Sequence, residues 1–207
     1  MEKIIILGFG GHAKSLVDII EQQGRYEIQG FVTPKGNEQE HYRKYSVIAP
    51  DKELDKLFAY GITNAVIGVG FLGNAKIRDD LYILLKKIGY HLPVIVDQTA
   101  IIAEDVSIGE GSVIGKGCII NSDCRIGKMT IINTGAVIEH ECCVGDFSHI
   151  SVSSVLCGSV KVGRRTFIGA NASVKQCVNI GDNSIIGMGS IVIGDVEDNS
   201  IRMGVVK

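Results

Sequence analysis

The chain has no tryptophan, and its other aromatic residues run out early: ten of the twelve Phe and Tyr, and all three prolines, lie at or before residue 93. A segment almost free of aromatics closes round a narrow interior. Excess charge is also lacking. With 21 Lys and Arg against 23 Asp and Glu the formal charge is -2, and no block of one sign occurs, which excludes a nucleic-acid footprint or a basic membrane face. The apolar run at the N-terminus, Ile4 to Leu7, is four residues long. It is too short for a signal peptide or a membrane span, so a cytoplasmic protein without membrane insertion is expected. No CxxC pair occurs among the six cysteines, and in a reducing compartment free thiols are expected. Cys142 and Cys143, although near His140 and His149, are adjacent and point to opposite faces of an extended chain. A zinc site is therefore not expected, nor any other metal.

What is present divides the chain in two: 207 residues with 45% hydrophobic content make ample core. Residues 1–97 alternate strand and helix patterns, predicting a small Rossmann-like α/β domain with a parallel sheet. Lys3 to Leu7, Glu27 to Val32 and Asn64 to Val69 read as strands. Ala13, Leu16, Val17 and Ile20 repeat at helical spacing, as do Leu81, Leu84, Leu85 and Ile88.

Residues 98–207 obey one rule. From Ile102 to Val192 every sixth residue is Ile, Val or Leu, at 16 consecutive positions, and the fourth residue after each is small or β-branched, from Val106 to Val196. That period predicts a left-handed parallel β-helix of hexapeptide repeats, a triangular prism with about 18 residues per coil. The aliphatic fills the interior and the small residue sits at the corner. Cys118, Cys124 and Cys142 occupy the small slot and need no other role. Exposed faces and ends of such a prism need cover, which points to self-association and to a cap from the α/β domain.

Gly8-Phe9-Gly10-Gly11-His12-Ala13 follows a strand and opens a helix, the arrangement in which glycines let backbone N–H groups approach a phosphate. A nucleotide or sugar phosphate fits there, with Gly10, Gly11 and His12 as binding residues. NAD fits less well, because Val32-Thr33-Pro34-Lys35 offers no ribose-binding acid. Inside the repeat, polar residues gather between Asn133 and His149. His140 stands two places after an aliphatic and is expected to face outward, where a neutral imidazole takes a proton from an attacking amine or hydroxyl. Glu141 beside it would fix its tautomer. The alternative is that both are solvated surface residues.

The whole chain, GFGGHAK followed by a β-helix carrying INTGAVIEHECCVGDFSHIS, resembles the sialic acid O-acetyltransferase and bacterial nucleotide-amino-sugar N-acetyltransferase family of hexapeptide acyltransferases. The resemblance implies a homotrimer, acetyl-CoA as acyl donor in a groove between neighbouring β-helices, and a sugar or nucleotide-sugar acceptor near the N-terminal domain. It implies His140 as catalytic base, Glu141 as its carboxylate and Asn133 near the reacting groups. By the same resemblance His149 contacts the thioester, Gly158 and Ala170 line the cofactor groove, and Gly11, His12 and Gly70 belong to the nucleotide-sugar site. Two features depart from the pattern: Thr33-Pro34 replaces an Asp-Asp pair, and the C-terminus lacks a Gly-x-Pro-Ala-Lys tail. The expected reaction is direct acetyl transfer to an amino sugar for surface glycan synthesis. O-acetylation of sialic acid, and a non-catalytic scaffold or sugar-nucleotide sensor, are the alternatives.

Overall fold

The computed structural model describes residues 1–37, 39–71, 73 and 75–207. The chain divides into two units: Met1–Gly70 with Lys76–Ile95, and Phe71–Ala75 with Val96–Lys207.

In the first unit, β1 (Glu2–Leu7), β2 (Tyr26–Thr33), β4 (Tyr45–Pro50) and β5 (Asn64–Ile67) run parallel in the order β4-β2-β1-β5, and a short β3 (His41–Tyr42) pairs antiparallel with β4. Three strands are legible as apolar runs. The outer pair was not anticipated, because β4 alternates buried and exposed residues and β3 is two residues long. Helices α1 (Gly11–Gln23) and α3 (Lys76–Ile88) fall where the apolar spacing puts them. Leu81 and Leu85 of α3 are buried, whereas Leu84 is 37% exposed. A third helix, α2 (Leu54–Ala59), lies between β4 and β5. Gly68, just after β5, approaches α1 closely: a Cβ there would lie 2.7 Å from that of Ala13, so only glycine allows this packing.

The second unit is the β-helix. Two-residue strands stack in three parallel sheets, and each residue pairs with the one 18 positions on, as Ile119 with Val137 and Arg125 with Cys143. The aliphatics from Ile114 to Val192 and the small-slot residues from Ser112 to Val196 are all buried. Stacking begins at the strand Ile95–Val96, ahead of the first residue of the repeat as read. Val96 and Ala100 already occupy the aliphatic and small slots and pack on the core. At the other end the coils shorten: Ile185 pairs with Ile201, 16 residues on, and Ile191 with Val205, 14 on.

The corners explain the small slot. Buried hydroxyls and thiols there donate to a backbone carbonyl 15 residues on: Ser112 to Gly127 at 2.8 Å, Ser148 to Gly163 at 2.7 Å, Cys118 to Asn133 at 3.0 Å and Cys124 to Glu139 at 3.0 Å. A buried polar group without such a partner would be costly. Burial pushes the Cys118 thiol up to about 11. The Cys142 thiol is fully buried and donates to the Cys157 carbonyl at 3.2 Å, so it is packing rather than a nucleophile. From Gly111 to Gly189 the residue before each small slot turns the corner with positive φ even where it is not glycine, as at Asp123 (58°), Glu141 (61°), Ser159 (59°) and Cys177 (62°).

Candidate active site

The corner geometry sets the position of His140 and Glu141. They follow the buried Ile138 and precede the buried Cys142, so both side chains are thrown outward and each is 59% exposed. The left-handed backbone at Glu141 brings its carboxylate back beside the preceding ring, and His140 Nδ1 lies 3.2 Å from Glu141 Oε2. A carboxylate only accepts, so Nδ1 carries a hydrogen, and in the neutral ring Nε2 keeps its lone pair. One coil on, the Ser159 hydroxyl donates to the same Oε2 at 2.9 Å. These two bonds, Ser159 first, hold the Glu141 carboxyl below the usual carboxylate range.

Gly158, expected in the cofactor groove, lies directly beneath the imidazole: a Cβ there would be 2.6 Å from both Cε1 and Nε2 of His140. Its missing side chain is the room the ring occupies. Ala170, at another corner, is half-buried and accepts a hydrogen bond from the Gly189 N–H at 2.8 Å.

Asn133 and His149 form a second constellation. Asn133 Nδ2 lies 3.1 Å from His149 Nε2, and His149 Nδ1 lies 2.8 Å from the carbonyl oxygen of Phe71. The carbonyl can only accept, so His149 carries its hydrogen on Nδ1 and accepts the Asn133 amide at Nε2. The ring is 6% exposed and packs edge-on to Phe167, with centroids 5.2 Å apart. In this tautomer His149 has no N–H for an oxyanion or a thioester oxygen. Its geometry orients Asn133, whose Oδ1 also accepts the Thr134 N–H at 2.8 Å.

In the first unit Gly10 caps α1 without a side-chain hydrogen bond, and no atom lies within 4 Å of where a Cβ would stand on Gly10 or Gly11. The first-turn N–H groups of a helix have no partner within it and lie at the positive end of its dipole, and here no side chain on Gly10 or Gly11 stands over that end. His12 and Gly70 are neighbours, 3.9 Å apart at the Cβ positions. The segment leading to Gly70 is held by buried Arg78, which donates to the Val69 carbonyl at 2.7 Å. Lys14, which motif reading passed over, sits 5.1 Å from the Phe9 ring and 5.5 Å from the Tyr42 ring. Thr33 accepts the Gly36 N–H through its hydroxyl at 3.1 Å, so the end of β2 forms a turn where a ribose-binding acid would stand. Among the described residues no helix is long and apolar enough to cross a membrane, and no three His, Cys, Asp or Glu side chains gather as a metal cluster.

A parallel β-helix with a carboxylate-held histidine at an exposed corner, in a chain that also carries a Rossmann-like unit whose first helix opens on glycines, defines a hexapeptide-repeat acyltransferase. The family model of the PglD N-terminal domain matches residues 3–85, and that of the hexapeptide repeat of succinyl-transferase matches residues 159–193. Among solved structures, a variant of perosamine N-acetyltransferase from Caulobacter crescentus, in complex with CoA and GDP-perosamine, is 30% identical with a TM-score of 0.93. The match covers 99% of this chain and 94% of that one. The acetyltransferase domain of PglB from Neisseria gonorrhoeae is 25% identical with a TM-score of 0.89, covering 99% and 97%. WeeI from Acinetobacter baumannii, 22% identical over 99% and 97% with a TM-score of 0.84, shares the fold. No curated protein sequence matches the chain. The chain belongs to the nucleotide-amino-sugar acetyltransferase family.

Proposed function

We propose that the protein transfers an acetyl group from acetyl-CoA to the amino group of a nucleotide-linked amino sugar, without a covalent enzyme intermediate. The observation that carries this reading is the exposed Nε2 lone pair of His140, set by the Nδ1–H bond to Glu141. As the sugar amine attacks the thioester carbon, Nε2 takes the proton from the amine and Glu141 stabilises the resulting imidazolium. Collapse of the tetrahedral intermediate breaks the C–S bond, and the proton on Nε2 goes to the departing thiolate. The oxyanion is met by backbone N–H groups or the second amide hydrogen of Asn133, because His149 accepts rather than donates at Nε2.

The open N-terminus of α1, with Gly10, Gly11 and His12, suits the phosphates of the acceptor. Corners carrying Gly158 and Ala170 border the donor, in a cytoplasmic homotrimer serving surface glycan synthesis. The Caulobacter protein crystallised with CoA and GDP-perosamine, and the Neisseria domain with acetyl-CoA, support this choice of substrates.

The test is thiol release from acetyl-CoA with GDP-perosamine, other nucleotide-linked amino sugars and sialic acid, for the wild type and for His140→Ala. Release is expected with an amine acceptor, and loss of the base is expected to lower kcat by about two to four orders of magnitude. Release with sialic acid alone would move the chemistry to a hydroxyl. A near-wild-type rate in His140→Ala would remove the base.

A further inference from the structure

We infer that Ser159 is a positioning residue for the transfer, completing a Ser159–Glu141–His140 chain that spans two coils of the β-helix; this rests on His140 acting as base. Glu141 and its partner lie at equivalent corners, 18 residues apart. Both turn with positive φ, 61° and 59°, and this shared backbone sends both side chains to the outer edge, one above the other. The Ser159 hydroxyl reaches Oε2 at 2.9 Å, the oxygen that holds His140 Nδ1 at 3.2 Å.

The carboxylate needs this second anchor. At 59% exposure nothing buried confines it, and a solvated glutamate samples several rotamers, most of which leave the ring unsupported. An imidazole without a fixed acceptor at Nδ1 redistributes its hydrogen between the two nitrogens, and the form protonated at Nε2 cannot accept a proton there. The corner on the other side of Glu141 does not supply an equivalent group: Asp123 is itself a carboxylate and would repel it. The hydroxyl thus keeps His140 in the tautomer that works as a base.

Two substitutions separate this role from a structural one. Ser159→Ala removes the hydroxyl and keeps a side chain at positive φ, whereas Ser159→Gly removes it and relieves the left-handed conformation. The two should therefore move thermal stability in opposite directions. Both are expected to lower kcat about three- to tenfold with little change in KM, the range for a charge-assisted hydrogen bond at a half-exposed site. In histidine-labelled full-length protein the nitrogen NMR signals of His140 should shift from the Nδ1–H towards the Nε2–H form. In a Glu141→Ala background neither substitution should slow the enzyme further.

Wild-type kcat with an unchanged tautomer in both variants overturns the inference. The same fold loss with and without Glu141 overturns it too. If Glu141→Ala and His140→Ala themselves turn over at the wild-type rate, the failure lies in the histidine mechanism instead.

Discussion

Gly158→Ala tests the site through a single methyl group. The added carbon would stand 2.6 Å from Cε1 and Nε2 of His140 and 3.2 Å from Nδ1, and these three ring atoms are its nearest neighbours. Ordinary carbon contacts begin at about 3.5 Å, so the ring must retreat by about 1 Å or swing to another rotamer. Either movement draws Nδ1 from Glu141 and carries Nε2 away from the amine. A misplacement of this size costs on the order of a hundredfold in rate, or about 2.7 kcal/mol of transition-state stabilisation. Stability should not fall in parallel. Gly158 does not have positive φ, so alanine fits the backbone and narrows the unfolded ensemble, a gain of about 0.4–1 kcal/mol. Thiol-release kinetics and a melting curve on the same preparation read both quantities. A kcat within about threefold of wild type would refute the placement of the ring over Gly158, and parallel losses of kcat and Tm would show damage to the corner instead.

Two further outcomes follow from the hydrogen bonds. The Glu141 carboxyl is held below its ordinary value of 4.5, by the Ser159 hydroxyl first and His140 second. Its stabilising effect is therefore complete above pH 4.5 and lost as pH falls through the depressed value. The Tm difference between wild type and Glu141→Gln should be present at neutral pH and close as the pH falls through that depressed value, and a pH-independent difference would contradict this. Ser148→Ala removes a buried hydroxyl that donates to the Gly163 carbonyl at 2.7 Å and accepts the Thr166 N–H at 3.0 Å. Alanine already fills the small slot at positions 136 and 172, so the loss of about 2 kcal/mol expected in urea unfolding belongs to the unmade bonds. An unchanged midpoint would refute that assignment.

The β-helix was legible because its rule is local and repeated: an aliphatic every six residues can face only one interior. The same rule placed Cys118, Cys124 and Cys142 inside and His140 outside. Adding 18 to 140 and 141 reaches Gly158 and Ser159, so the arithmetic of one coil held a signal for both partners that single-position reading left unused. The Phe71 carbonyl that fixes the His149 tautomer had no such signal. It lies 78 residues earlier, outside the repeat, and a backbone oxygen leaves no mark in a side-chain pattern. The direction of the His149 ring, and with it the support it gives Asn133, depends on that oxygen. The strands β3 and β4 were missed for a different reason. Along β4 the exposed Ser46 and half-buried Ile48 alternate with buried neighbours, so no continuous apolar run marks it, and β3 is two residues long.

The shortening of the last coils from 18 residues to 16 and then 14 bears on how such a solenoid avoids growing. A full-width terminal coil would offer unpaired N–H and C=O groups in the register that another copy could continue, and stacking could run on into a fibre. The last strands keep their two-residue length, but the sheets do not end level: one ends at Asn179–Ile180 with an isolated bridge to Val196, while the other two run on to Ile201–Arg202 and Val205–Val206. A full coil laid on this end cannot pair with all three sheets in one register, which makes it a poor template.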